Sequence, residues 1–264
     1  MSSNIKFTVF TKPWKLHLAD LARLVRDLGF AGIELPVRPE YQVEPQSMAK
    51  DLPKAVKVFA DEGLSIASVT CEPTIEAIEA MGNAGVKLMR VIFPIPPEEN
   101  YLACIHNKIR FVESLQGALA SAGVMLGIQN HCRRQLSGAM ELRYMVDRLD
   151  PKCVGAVVDI CHNALAGESP SQALDLLEDR MCLVNFKNAY WYRTNDPSAN
   201  SAAWDVRTTT ARHGMADWKQ AVDELKKRNY AGDICLSAEY TDHSAGLENL
   251  VREDLNYARS LFGK

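Results

Sequence analysis

Four apolar runs in this chain carry polar residues of the types found in metal and acid–base sites. MLGIQ ends on Gln129, VGAVVD ends on Asp159, LVNFKN carries Asn185 and Lys187, and ICLSAE ends on Glu239. A carboxylate accepts and releases a proton and ligates hard cations, whereas an amide offers a neutral carbonyl oxygen. Side chains alternate along a strand, so Met125, Gly127 and Gln129 share one face, as do Gly155, Val157 and Asp159. The same parity groups Leu183, Asn185 and Lys187, and then Cys235, Ser237 and Glu239. Taken singly, each strand-end polar group is equally a helix cap or a salt-bridge partner. Taken together, Gln129, Asp159, Asn185 and Glu239 point into one site only if their strands stand side by side.

The elements that would place them so are readable from pattern. Strands are expected at about 5–10, 32–35, 65–71, 88–93, 124–129, 154–159, 182–187 and 234–239. Helical stripes lie between them: Leu21, Leu24, Val25 and Leu28 follow i, i+3, i+4, i+7 spacing, Val56, Phe59 and Ala60 continue the theme, and Leu247, Leu250 and Val251 stand near the end. Turn glycines at 29, 32, 63, 85, 123 and 232 stand at or just before strands. Eight strand–helix alternations with no Pro/Ser-rich linker argue for an α/β fold, a single (β/α)8 TIM barrel over residues 1–264. A doubly wound sheet is the alternative, but no Gly-rich phosphate loop follows the first strand. One segment breaks the rhythm: residues 189–213 form a long polar and aromatic connection. It is expected to be a lid over the barrel mouth that brings in Tyr190, Trp191 or Trp204, or else a subunit interface.

Composition narrows the function classes. The chain has 264 residues, 47% hydrophobic and 24% charged, with a formal net charge of −3. That balance is ordinary for a globular protein and lacks the basic excess of a nucleic-acid binder. No apolar run reaches the ~18 residues of a membrane span. The opening MSSNIKFTVFTKPWK lacks a signal peptide's order of segments, and the seven cysteines are scattered singly. The expected location is therefore cytoplasmic, with reduced thiols.

On these stretches the chain resembles the sugar phosphate isomerase/epimerase family, the xylose isomerase-like barrels that include ketose 3-epimerases and inosose dehydratases. The matching pieces are GIELP (32–36), GVMLGIQNH (123–131), VGAVVDICHNALAG (154–167), LVNFKN (183–188), HGMADW (213–218) and ICLSAEY (234–240). The segment running from Asp159 to His162 is the most specific of them. The resemblance implies a divalent metal held by Glu, Asp, His and Glu at the ends of strands five to eight. Asp159 and Glu239 match that set, Gln129 stands in place of the first Glu, and Asn185 in place of the His. Asn188 likewise replaces an acid, while Lys187 is retained.

An amide neither accepts nor releases a proton near neutral pH, so Gln129 removes one of the two acid–base groups implied by the family. Glu239 is left as the principal base, with His162 and Lys187 as further catalytic candidates. Trp14, Glu34, His131, His162 and Lys187 are candidates for substrate binding. Glu72 ends the third strand, and Arg133 and Arg134 are placed to meet an anion or water. The metal set Gln129, Asp159, Asn185 and Glu239 suits Mn²⁺ or Mg²⁺, bound weakly or absent in isolated protein, better than zinc. On that view Gln129→Glu restores a charged ligand and strengthens Mn²⁺ binding.

The expected activity is a metal-assisted isomerase, epimerase or dehydratase acting on a small sugar, sugar phosphate or polyol-derived carbonyl compound. The alternative is a catalytically degenerate barrel that binds a sugar or a partner. A DNA-repair endonuclease on the same barrel is disfavoured by too few histidines and no basic surface. Homo-oligomerisation is left open.

Overall fold

The computed structural model describes residues 5–263. Eight parallel strands close into a barrel: β1 (Lys6–Phe10), β2 (Gly32–Pro36), β3 (Ser65–Thr70), β4 (Leu88–Val91), β5 (Met125–Gln129), β6 (Val154–Asp159), β7 (Met181–Phe186) and β10 (Asp233–Leu236). A separate antiparallel pair, β8 (Asn188–Arg193) and β9 (Trp204–Thr209), follows β7. Closure comes from β1, which pairs with β2 on one side and β10 on the other. The TIM barrel read from pattern is therefore the fold, and the strand boundaries agree closely. Residues 1–4 and 264 of the expected domain lie outside the described residues.

Helices α1 (Leu18–Leu28), α2 (Met48–Asp61), α3 (Ile75–Ala84) and α4 (Tyr101–Ala122) cover the first half of the barrel. After β5 come α5 (Ala139–Val146), α6 (Ile160–Leu165), α7 (Pro170–Leu177), α8 (Trp218–Lys227) and α9 (Leu247–Phe262). Each buries an apolar stripe on the sheet. In α1 the stripe is Leu21, Ala22, Val25 and Leu28, with Leu24 only partly buried. Burying such side chains contributes roughly 1.5–3 kcal/mol apiece, which outweighs modest helix propensities. Among the helices that leave through left-handed glycines are α1, at Gly29 with φ 95°, and α4, at Gly123 with φ 60°, the latter turning the chain into β5.

Two apolar layers result. One lies between strands and helices and takes in Val184 and Phe186. The other fills the barrel axis with Phe10, Val157, Leu183 and Cys235, against which Leu88 and Cys182 pack. Gly127 faces that axis, where a Cβ would stand 2.7 Å from Cγ2 of Val157. The interior is thus plugged below Gln129, and a ligand can enter only at the C-terminal rim. Among the described residues no helix is long and apolar enough to cross a membrane.

The segment 189–213 is not an irregular loop. Asn188 pairs with Thr209 and Arg193 with Trp204 in a six-residue hairpin ladder. β-Branched and aromatic residues along both arms explain the strand pairing that a reading of polarity alone overlooks.

Candidate active site at the barrel mouth

A cavity of about 120 Å³ opens at the C-terminal ends of the barrel strands. Gln129, Asp159, Asn185, Glu239, Glu34, His131, His162 and Lys187 all line it. Above it lies a wider groove of about 340 Å³, which shares Lys12, Lys187 and Glu239 with the cavity. Those three residues therefore stand between a confined inner space and an open outer one.

The inner side is one continuous hydrogen-bonded chain. Arg90, at the centre of β4, donates Nε to Oε2 of Glu34 at 2.7 Å and Nη2 to Oε1 at 2.6 Å. Its Nη1 donates to Oε1 of Gln129 at 2.5 Å, and Nε2 of Gln129 donates to Oδ2 of Asp159 at 2.8 Å. The amide's orientation is settled by its neighbours, because a guanidinium only donates and a carboxylate only accepts. Asp159 also caps α6, its Oδ1 accepting from the backbone N–H groups of Cys161 and His162. Asn130 ties β5 to β6 by bonding both the N–H and the C=O of Asp159. Burial holds the Asp159 carboxyl above the usual range, against the pull of Lys187.

On the outer side Glu239 lies between two ammonium groups, Lys12 at 2.5 Å and Lys187 at 2.9 Å. Burial alone raises a carboxyl, but Lys187 and then Lys12 outweigh it here and hold Glu239 at about 2. Lys187 is nearly enclosed; burial favours its neutral form, yet Glu239 and Asp159 keep it charged and above its ordinary value. Its position is set from behind. Indole Nε1 of Trp218 donates to the carbonyl of Lys187, and Asn188 bonds the backbone at Ala189, Ala211 and Ala216. A Cβ on Gly214 would stand 2.1 Å from Asn188 Oδ1, which accounts for the glycine of HGMADW. The chain leaves β10 at Leu236, and left-handed Ala238, at φ 52°, carries it to Glu239. A non-glycine residue there costs about 1–2 kcal/mol, strain of a kind that collects at functional sites.

The rings of His131 and His162 pack at a tilt of 38° with centroids 4.0 Å apart. Burial, with Lys187 adding, holds His162 at about 3; burial and then His162 hold His131 at about 4. Both imidazoles are neutral at pH 7. His162 Nδ1 and Asn185 Oδ1 are buried without a hydrogen-bond partner, so each has capacity left for a ligand.

The model of the xylose isomerase-like TIM barrel family matches residues 22–261. The chain belongs to that family. Several solved structures resemble it closely in shape and remotely in sequence. A D-psicose 3-epimerase from Clostridium cellulolyticum H10, solved with D-tagatose, superposes with a TM-score of 0.76 at 12% identity, covering 97% of this chain and 99% of that one. A 3-keto-D-glucoside 4-epimerase from E. coli gives 0.73 at 16% identity, with 97% and 99% covered. A probable 3-DHS dehydratase involved in petrobactin synthesis from Bacillus anthracis gives 0.72 at 12%, with 95% and 97% covered. At such identities the likeness establishes the shared fold. No curated protein matches the sequence.

Within this xylose isomerase-like mouth, the donor set expected to hold a metal does not fit one. Gln129 turns its carbonyl oxygen to Arg90 and its N–H to Asp159, so the amide presents no oxygen between them. Both oxygens of Glu239 accept from ammonium groups. Of the four residues, only Asn185 keeps an unused side-chain oxygen. Two other clusters bring three ligand types together, Asp159 with Cys161 and His162, and His131 with Cys132 and His162. Burial raises both thiols, so an ion binding there must displace a proton from each.

Three charged residues that line the cavity have no counterpart in the sequence reading. Arg90 is buried in an apolar strand, and an arginine in LMRVIF is itself a signal, since a buried guanidinium demands a partner. Lys12 and Arg38 also line the cavity and follow the first two strands, where the sequence reading chose Trp14 and Glu34 instead.

Some expected residues lie elsewhere. Trp14 does not line the cavity: after the turn from Thr11 its indole packs with the core, and Nε1 donates to the exposed Glu248. Tyr190, Trp191 and Trp204 line neither space. Trp191 bonds the carbonyl of Leu165, Trp204 is exposed, and the hairpin brings Thr208 to the groove instead. Arg133 pairs with Asp205, and Arg134 bonds the carbonyls of Pro96 and Glu99.

Proposed function

We propose that this barrel is an isomerase- or epimerase-type catalyst that moves a proton beside the carbonyl of a small polyhydroxy compound. The observation that carries the reading is Glu239 held between Lys12 and Lys187 at the junction of cavity and groove. A carboxylate with two ammonium groups is the set such a step requires: a base for the C–H proton and donors for the oxygen that becomes negative. At rest Glu239 is too acidic to be an effective base. A substrate carbonyl that accepts a hydrogen bond from Lys187 takes one partner from Glu239 and so raises its basicity where the proton must be removed. Glu239 itself returns the proton it removes, neutral His162 lines the same cavity and is placed to hydrogen-bond the substrate, and Asn185 offers an acceptor to a hydroxyl. Because the donor set is committed elsewhere, no step is assigned to a metal.

Small ketoses, aldoses and keto acids in D₂O test this. Enzyme-dependent loss of a carbon-bound proton signal in NMR, abolished in Glu239→Gln, is the expected result. Exchange that persists in that variant overturns the assignment of the base.

A second reading, a sugar-binding barrel without turnover, is favoured by one observation: Gln129 is tied on both sides in place of a proton-transfer group. Saturable binding of a compound that shows no exchange would select it.

A further inference from the structure

We infer that Arg90 is the resident cation of this mouth and that the site operates without a divalent metal ion. Gln129 is the pivot. An amide that ligates a metal must aim its oxygen at the ion, but here the oxygen receives Nη1 of Arg90. The opposite end of the amide, a donor, is aimed at Asp159. An ion held by Asp159 would therefore face N–H groups. Turning the amide over would aim those N–H groups at a guanidinium and its oxygen at a carboxylate, breaking both bonds at once.

Every carboxylate oxygen of Asp159 and Glu239 already accepts at least one hydrogen bond. Oδ1 of Asp159 accepts from two backbone N–H groups of α6, and each oxygen of Glu239 accepts from a lysine. Mg²⁺ and Mn²⁺ favour six oxygens and bind through carboxylates free to turn toward them. Asn185 contributes one neutral oxygen. Charge points the same way. The cavity wall carries Lys12, Arg38, Arg90 and Lys187 against Glu34, Asp159 and Glu239, so its carboxylates are already compensated. Arginine suits the position because its fork stays protonated when buried and fits a carboxylate with two parallel bonds. Arg90 also stacks on the Phe10 ring, 4.8 Å from its centroid, which holds the guanidinium plane in place.

The test uses the wild-type protein and needs no turnover, so it stands apart from the activity proposed above. Protein stripped with EDTA is titrated with MnCl₂ and followed by calorimetry, by the electron paramagnetic signal of free Mn²⁺, and by imidazole proton resonances. The expected result is no stoichiometric site tighter than about 1 mM and no selective broadening of the His131 and His162 ring signals. Stoichiometric Mn²⁺ that broadens those two rings ahead of the other histidines places an ion in the mouth and overturns the inference. Binding that leaves both rings sharp lies elsewhere on the protein and upholds it.

Discussion

The carboxylate of Glu34 receives two parallel hydrogen bonds from the guanidinium of Arg90, at 2.6 and 2.7 Å, with both side chains buried. The pair links β2 to β4 across the intervening β3, whose Ser68 adds a third bond to Glu34 at 2.8 Å. It is the anchor from which the rest of the inner network hangs.

Arg90→Met removes the cation and leaves a buried, unpaired carboxylate. Loss of one partner of a buried pair costs about 3–5 kcal/mol. The double variant Arg90→Met with Glu34→Gln removes both charges, and it should recover a substantial part of that loss. Denaturant unfolding of the two variants checks the order; equal stability of both would mean that the pair contributes little beyond packing.

Gln129→Glu should not behave as a restored metal ligand. One oxygen of the new side chain pairs with Arg90, and the other replaces an N–H that stands 2.8 Å from Asp159. Two carboxylates at that distance cannot both ionise, so their shared proton has a raised apparent pKa. A raised folded-state value gives stability that is present at low pH and lost as pH rises. The variant should be on the order of 2 kcal/mol less stable than wild type at pH 8, with the gap narrowing toward pH 5. Its affinity for Mn²⁺ should change by less than tenfold. Urea melts across pH and a Mn²⁺ titration read the two outcomes.

Glu239→Gln takes the counter-charge from an enclosed Lys187 and from Lys12. Asp159 then becomes the nearest carboxylate, and the Lys187 value should fall from its raised position. Carbon-bound proton exchange should disappear while the circular dichroism spectrum stays unchanged. Reductive methylation followed by NMR of the labelled ammonium groups reports the shift directly.

Acid should destabilise the fold before most carboxylates titrate. His162 and His131 are held at about 3 and about 4 by burial, while a free histidine takes up its proton near 6.5. Depressed values give stability that is complete above about pH 6.5 and lost as pH falls below it. Asp254 works in the opposite sense: burial raises it to about 6, so its contribution is lost as pH rises from about 4 to 6. The two depressed histidines act against the raised carboxyls of Asp254, Asp159 and Asp233, and with their larger shifts stability should drop between pH 7 and pH 5. Asp254→Asn should steepen that drop. Histidine ring NMR that shows either residue titrating near 6.5 in the folded protein would contradict the account.

Periodicity alone carried the barrel in this sequence. Strand parity also placed Gln129, Asp159, Asn185 and Glu239 on one lining, because a two-residue repeat leaves an inward position no other direction. Even Glu239, which lies beyond the end of β10, keeps the face its parity assigns, although left-handed Ala238 intervenes. What each group does there was settled only by the tertiary fold. Gln129 has one meaning beside a metal and another beside a guanidinium, and the difference is made by Arg90, thirty-nine positions away. Glu239 reads as a free base until Lys12, two hundred and twenty-seven positions away, is brought against it by the pairing of β1 with β10. Trp14 is a pocket wall by proximity in sequence and a core residue by the direction of one turn. A strand's pattern specifies which way a side chain points; hydrogen-bond partners and charge depend on which distant strands barrel closure makes neighbours.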